Sequence, residues 1–129
     1  MDSFSPSTAP YISLATYRKS GVEVLTPVWV AELDGRYYVF SEAGAGKVKR
    51  IRNHPQVRIA ACNYSGKVRH SGWLAGEASI VTDSALMGRV YEEFTAKYGW
   101  QIRLTNLLSK IAGRYDQRAM LEITLTDRP

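Results

Sequence analysis

VEVLTPVWVAELDGRYYVFS, residues 22–41, carries the reading of the fold. Its first twelve residues are dense in the β-branched and aromatic side chains that suit a pleated, half-buried surface. Asp34-Gly35 then supplies the pair that a two-residue hairpin turn favours, and Arg36 to Ser41 resumes the apolar run. Val22 to Leu33 is therefore expected to be one strand and Arg36 to Ser41 its hairpin partner. Pro27 interrupts the first of them. A proline cannot donate to a ladder, so this strand belongs at an edge or a bulge, where its backbone is open to a ligand.

Outward from this hairpin, TyrIleSerLeuAlaThrTyr at 11–17 alternates large and small residues as a half-buried strand does, and Lys19-Ser20-Gly21 turns it into the next. On the other side, Lys47 to Asn53 predicts a short helix, with Val48 and Ile51 as an i, i+3 apolar stripe and Pro55 marking its end. Its basic residues are expected to project mainly away from the core. Val57 to Cys62 and Trp73 to Val81 read as strands. Leu86, Met87, Val90, Tyr91, Phe94 and Tyr98 fall at helical spacing, with caps at 82–84 and a stop at Gly99. Leu104, Leu107, Leu108 and Ile111 suggest a second helix closed by Gly113, and Met120 to Leu125 alternates as a last strand. About six strands without βαβ alternation predict a mainly β (α+β) chain built on a small antiparallel barrel with flanking helices. Residues 1–10 read as a polar leader and 11–129 as a single domain.

At 129 residues and 45% hydrophobic composition, the chain can bury one core but not two. Its longest apolar runs fall far short of the ~20 residues of a membrane span. The first residues, MDSFSPSTAP, lack the basic start and apolar core of a signal peptide, and the single Cys62 has no partner for an internal disulfide. A reducing cytoplasm is the expected setting.

Net charge is +5, and its distribution is more informative than its size. Between Glu42 and Glu77 there is no acidic residue, while Lys47, Lys49, Arg50, Arg52, Arg58, Lys67 and Arg69 all fall there. These seven exceed the net charge of the whole chain, so the excess is local and argues for an anionic partner. Gly44-Ala45-Gly46-Lys47 is only part of a phosphate loop, because Val48 stands where that loop needs Ser or Thr. Glycines opening a helix still leave backbone N–H groups facing an anion, with lysines adding charge, so a phosphate at Gly46 to Lys49 is chemically reasonable. The competing reading is a solvated helix face. Nucleic acid is disfavoured, since the densest run, 47–52, contains none of the aromatic residues on which bases stack.

Catalysis by side chains alone has poor material here. His54, His70 and Cys62 offer no nucleophile and base at a recognisable spacing, and no cluster has the ligand spacing of a zinc site. Three tryptophans and eight tyrosines are many for this length. Trp73 and Trp100 sit at element ends, where aromatics often line ligand sites or subunit contacts, although packing is the commoner role for either one alone.

TPVWV at 26–30, YYVFSE at 37–42, GKVKRIRNHP at 46–55 and KYGWQ at 97–101 together resemble the flavin- and deazaflavin-binding split-barrel superfamily of pyridoxamine 5'-phosphate oxidase. More narrowly they resemble its short branch assigned to coenzyme F-420. The resemblance runs from about Tyr11 to Leu125. It implies a six-stranded split barrel that forms a homodimer with two cofactors in clefts along the interface, and an oxidoreductase in which the cofactor carries the hydride. It further implies that Ser41, Glu42, Gly46, Lys47, Lys49 and Arg50 hold the phosphate and its polar neighbours. Thr26, Pro27 and Val28 are then expected along the ring system, and Trp73 and Trp100 of the second subunit are expected to close the cleft. Pyridoxamine 5'-phosphate oxidase proper is longer and carries basic residues near its end, where this chain has TLTDRP, so vitamin B6 oxidation is not expected. Coenzyme F-420, with its phosphodiester and glutamyl carboxylates, suits the broad basic interval better than FMN. FMN, a cofactor carrier without turnover and a heme-binding protein stand as alternatives. No membrane partner is implied.

Overall fold

The computed structural model describes residues 9–42, 46–62, 67–68, 72–99 and 118–126. Strands β1 (Tyr11–Tyr17) and β2 (Glu23–Val28) pair antiparallel, with Leu14 opposite Thr26 and Ser13 opposite Pro27. Strand β3 (Ala31–Leu33) turns at Asp34-Gly35 into β4 (Arg36–Glu42). Asp34 and Gly35 both take positive φ, 55° and 79°, which is what a type I′ hairpin turn demands and why Asp-Gly fits there. Then follow helix α1 (Gly46–Asn53), β5 (Gln56–Cys62), β6 (Leu74–Val81), helix α2 (Ser84–Tyr98) and β7 (Arg118–Leu125).

All pairings are antiparallel and the strand order is β2-β1-β5-β6-β7-β4-β3. β2 and β3 therefore lie at opposite edges, yet only Trp29 and Val30 separate them in the chain. Three Cα steps reach no more than about 11 Å. The two edges must come together, and the sheet rolls into a split barrel. Here the single strand expected over Val22 to Leu33 is corrected. It breaks at Trp29-Val30, because one straight strand could not pair with β1 at one edge and β4 at the other, so seven strands stand where six were expected.

Alternation sorts each strand onto two faces. Ile12, Leu14, Val39, Val57, Ile59, Ala78, Leu121 and Ile123 fill the barrel interior, and Val48 and Ile51 of α1 join them at one end. Tyr38, Val81 and Met120 face outward against Val90 and Phe94 of α2, making a second, smaller core. α2 is sharply bounded. Asp83 Oδ1 accepts from the amides of Ala85 and Leu86, and Gly99, at φ 61°, returns its N–H to the Thr95 carbonyl at 2.8 Å. The expected helix around Leu104 to Ile111 lies outside the described residues. Among the described residues no helix is long and apolar enough to cross a membrane.

Candidate functional site

α1 is amphipathic by necessity, because only two of its eight residues are apolar. Val48 and Ile51 are buried and dock the helix on the barrel end. Its first turn carries no acidic residue, so nothing there neutralises the partial positive charge of the helix start. Lys49 and Arg52 are exposed as expected, and Lys47 is half-buried.

Arg50 departs from the expectation that these basic residues point away from the core. Its Nε donates to Thr16 Oγ1 at 2.6 Å, and Thr16, on β1, has no exposed surface. The physical reason is position. Arg50 lies next to Ile51 on the docked side of α1, and Thr16 offers a fully buried hydroxyl within its reach. The guanidinium also folds back over the helix start, since a Cβ built on Gly46 would stand 2.7 Å from Arg50 Nη1. Gly46 thus leaves a space that any side chain would fill. Burial, and next the charge of Arg18, lower the Arg50 pKa from its ordinary value, though a guanidinium stays protonated. Among the described residues no carboxylate pairs with Arg50 or Arg18; the ion pairs fall elsewhere, at Arg36–Glu122, Arg58–Glu23 and Arg89–Asp34. Arg50, with Arg18 near enough for its charge to be felt, makes the start of α1 a candidate anion site.

Thr26, Pro27 and Val28 divide between faces. Thr26 and Val28 point inward, opposite Leu14 and Ile12, while Pro27 is exposed on the outer face opposite Ser13. Ser13 Oγ is buried and has no hydrogen-bond partner among the described residues. An orphaned hydroxyl beside a residue that lacks an N–H marks this place as one where polar chemistry is incomplete. Neither Ser13 nor Thr16 was legible as a site residue, although a hydroxyl at an interior register between Leu14 and Arg18 is a usable signal.

The same outer face carries a network that includes Trp73. Arg58 Cζ lies 4.9 Å from the Trp73 ring centroid, while its Nε donates to the Tyr17 hydroxyl at 3.0 Å and its Nη2 to Glu23 Oε2 at 2.7 Å. Tyr17 donates to the same carboxylate at 2.9 Å. Arg58, ahead of the other contributions, holds the Glu23 carboxyl below its usual range. Leu25, 48% exposed, lies opposite Ala15 on this face. Pro27 and Trp73 thus share one side of the β2-β1-β5 sheet, and Arg50 and Lys47 belong to the barrel end. Ser41 is buried at the end of β4 opposite Ala119, less open than an anion ligand would be. The Glu42 side chain and Trp100 lie outside the described residues.

The break after Val28 is held by α2. Val30 N–H donates to the Tyr98 hydroxyl at 3.0 Å, Lys97 Nζ donates to the Val30 carbonyl at 2.8 Å, and Trp29 stacks on Tyr98 with centroids 4.5 Å apart. The end of the Thr26–Val28 strand is therefore aimed by a helix remote in sequence. Among the described residues no group of His, Cys, Asp and Glu side chains could hold a metal ion.

The fold recurs in solved structures. The conserved hypothetical protein Rv2991 of Mycobacterium tuberculosis superposes with a TM-score of 0.71 at 19% identity, covering 93% of this chain and 75% of that one. The heme storage protein HutZ of Vibrio cholerae gives 0.66 at 16% identity over 96% and 85%. A FAD-binding protein of Mesorhizobium loti gives 0.62 at 14% identity over 94% and 82%. At these identities the likeness establishes the fold. No curated protein sequence gives a significant match. The model of the family described as pyridoxamine 5'-phosphate oxidase matches residues 4–127, nearly the whole length. With its rolled antiparallel sheet and docked basic helix, the chain belongs to the pyridoxamine 5'-phosphate oxidase family of split barrels.

Proposed function

We propose that this protein is a deazaflavin-dependent oxidoreductase that binds coenzyme F-420 between two copies of the chain in a reducing cytoplasm. It moves hydride between the reduced coenzyme and a small unsaturated or quinone-like molecule. The observation that carries the proposal is the Arg50–Thr16–Gly46 arrangement beside Arg18, an anion site with no internal counter-charge. FMN-type flavins fit the same geometry, but a coenzyme bearing several carboxylates as well as a phosphodiester makes fuller use of the exposed Lys49 and Arg52 nearby.

The residues present fit such a group. Gly46, Lys47 and Arg50 would hold the phosphate, with Lys49 and Arg18 toward the carboxylates; Pro27, with Ser13 opposite it on β1, would border the ring system, and Trp73 would close the cleft. Glu42 and Trp100 complete the proposed set. The bound coenzyme supplies the carbon that carries hydride, so the chain needs no nucleophile of its own. What the protein contributes is orientation of the ring by the strand that α2 aims, exclusion of water by the aromatic face, and fixed positive charge for the tail.

Fluorescence titration of the purified chain with coenzyme F-420 and with FMN tests this. Saturable coenzyme F-420 binding that Lys47→Ala weakens, at an almost unchanged melting temperature, is the expected result. Tight FMN binding with no response to coenzyme F-420 would overturn the cofactor assignment, and binding without reduction of any acceptor would leave a carrier in place of an enzyme.

A further inference from the structure

A polar cavity lies between edge strand β3 and the C-terminal half of α2. Its volume is about 260 Å³, and Ala31, Glu32, Glu93, Ala96 and Lys97 line it. Three features of this lining belong together chemically. Lys97 is an amine at the cavity wall, half-withdrawn from water. Its Nζ donates to the Val30 carbonyl at 2.8 Å, a bond a neutral amine keeps as well as an ammonium, so the nitrogen remains oriented after losing its proton. Two carboxylates on different elements, Glu32 of β3 and Glu93 of α2, share the cavity and are the groups available to exchange protons there.

We infer that this cavity is a covalent carbonyl-binding site, in which Lys97 Nζ captures a small neutral aldehyde as an imine. The nitrogen lone pair forms the new bond to the carbonyl carbon, the nitrogen gives up its protons, and the carbonyl oxygen leaves as water. No oxidant or reductant takes part. The two alanines keep part of the wall small and apolar, and the volume admits a molecule of up to about ten heavy atoms. The two carboxylates set the class, because a negatively charged carbonyl compound would meet like charge on two sides. Burial supports the same assignment, lowering the Lys97 pKa from 10.5 to about 8, even though its position 5.2 Å from the Tyr98 ring centroid favours the charged form. A desolvated lysine of this kind is the usual form of an imine-forming nucleophile.

The test uses the intact chain at pH 8 with propionaldehyde and a mild borohydride, which reduces an imine to a stable secondary amine, followed by peptide mass mapping. Exposed Lys19 and Lys49 are the internal references. A neutral fraction near one half at pH 8, offset by the weaker nucleophilicity of a less basic amine, predicts alkylation of Lys97 on the order of tenfold faster than an ordinary lysine. Glyoxylate, an anionic aldehyde, is expected to label Lys97 several-fold more slowly than propionaldehyde does. Propionaldehyde labelling of Lys97 no faster than that of Lys19 and Lys49 would overturn the site. Equal labelling by glyoxylate would overturn the neutral-ligand class. Coenzyme binding plays no part in this readout, so its outcome is separate from that of the proposed function.

Discussion

Arg50 Nε and Thr16 Oγ1 meet at 2.6 Å across 34 residues of sequence. That one bond holds a guanidinium at the barrel end, with its Nη1 beside Gly46 at the start of α1. Lysine in place of Arg50 could not do the same, having no fork with which to hold Thr16 and an anion at once.

Thr16→Val removes the acceptor and keeps the shape. Arg50 is half-buried, so the loss is expected to be about 1–2 kcal/mol of stability, the range for a hydrogen bond to a partly screened charged group. Affinity for the anionic coenzyme should fall at the same time. Urea denaturation and a binding titration on one preparation check both, and an unchanged affinity would separate Arg50 from the anion site.

Two glycine substitutions should behave oppositely. In Gly46→Ala the new methyl meets Arg50 Nη1 at 2.7 Å, the far end of a long side chain, which can pivot about its Nε–Thr16 bond. Stability is expected to change by less than about 1 kcal/mol while anion affinity drops. In Gly76→Ala the methyl meets the Thr124 carbonyl at 2.9 Å and Ile123 Cγ2 at 3.2 Å, where β6 and β7 are paired and the backbone cannot yield. A loss of about 1–3 kcal/mol follows, at roughly 4 °C of melting temperature per kcal/mol for a chain of this length. Calorimetry of the two variants decides the matter.

Stability should pass through a maximum on the alkaline side. Burial lowers Lys97 to about 8, so between that pH and 10.5 the unfolded chain holds a proton that the folded chain has released, and stability rises with pH. Burial raises Tyr38 and Tyr98 from 10.0 to about 12, with the Glu122 carboxylate adding to the effect at Tyr38. Their contribution is present below pH 10 and lost as pH rises toward 12. Denaturation midpoints measured from pH 7.5 to 11.5 are expected to climb, peak near pH 10 and then fall. Lys97→Met should abolish the climb and keep the fall.

Much of the architecture was legible from local signals. Asp34-Gly35 names its own turn, Val48 and Ile51 name the docked face of α1, and Gly99 names the end of α2. The strand break at Trp29-Val30 was not legible, because β-branched and aromatic residues run through it without a turn signal. The break is held from Tyr98 and Lys97, some 68 residues away, which take up the Val30 amide and carbonyl. In the candidate site, the basic helix and Pro27 could be picked out from the sequence. Thr16, Arg18 and Ser13 could not, since an isolated hydroxyl or arginine on a strand acquires meaning only from what packs against it.

The sequence by itself determined the elements, their antiparallel character and the location of the positive charge, since these depend on side-chain periodicity and turn chemistry within a few residues. Tertiary structure decided which charges come together in the candidate site. Rolling the sheet brought β1 under α1 and turned Arg50 inward onto Thr16. It also set α2 against the end of β2, where Tyr98 holds the backbone that aims Pro27. Those relationships arise from the closure of a barrel whose two edges meet through two residues, a long-range constraint that no local pattern encodes.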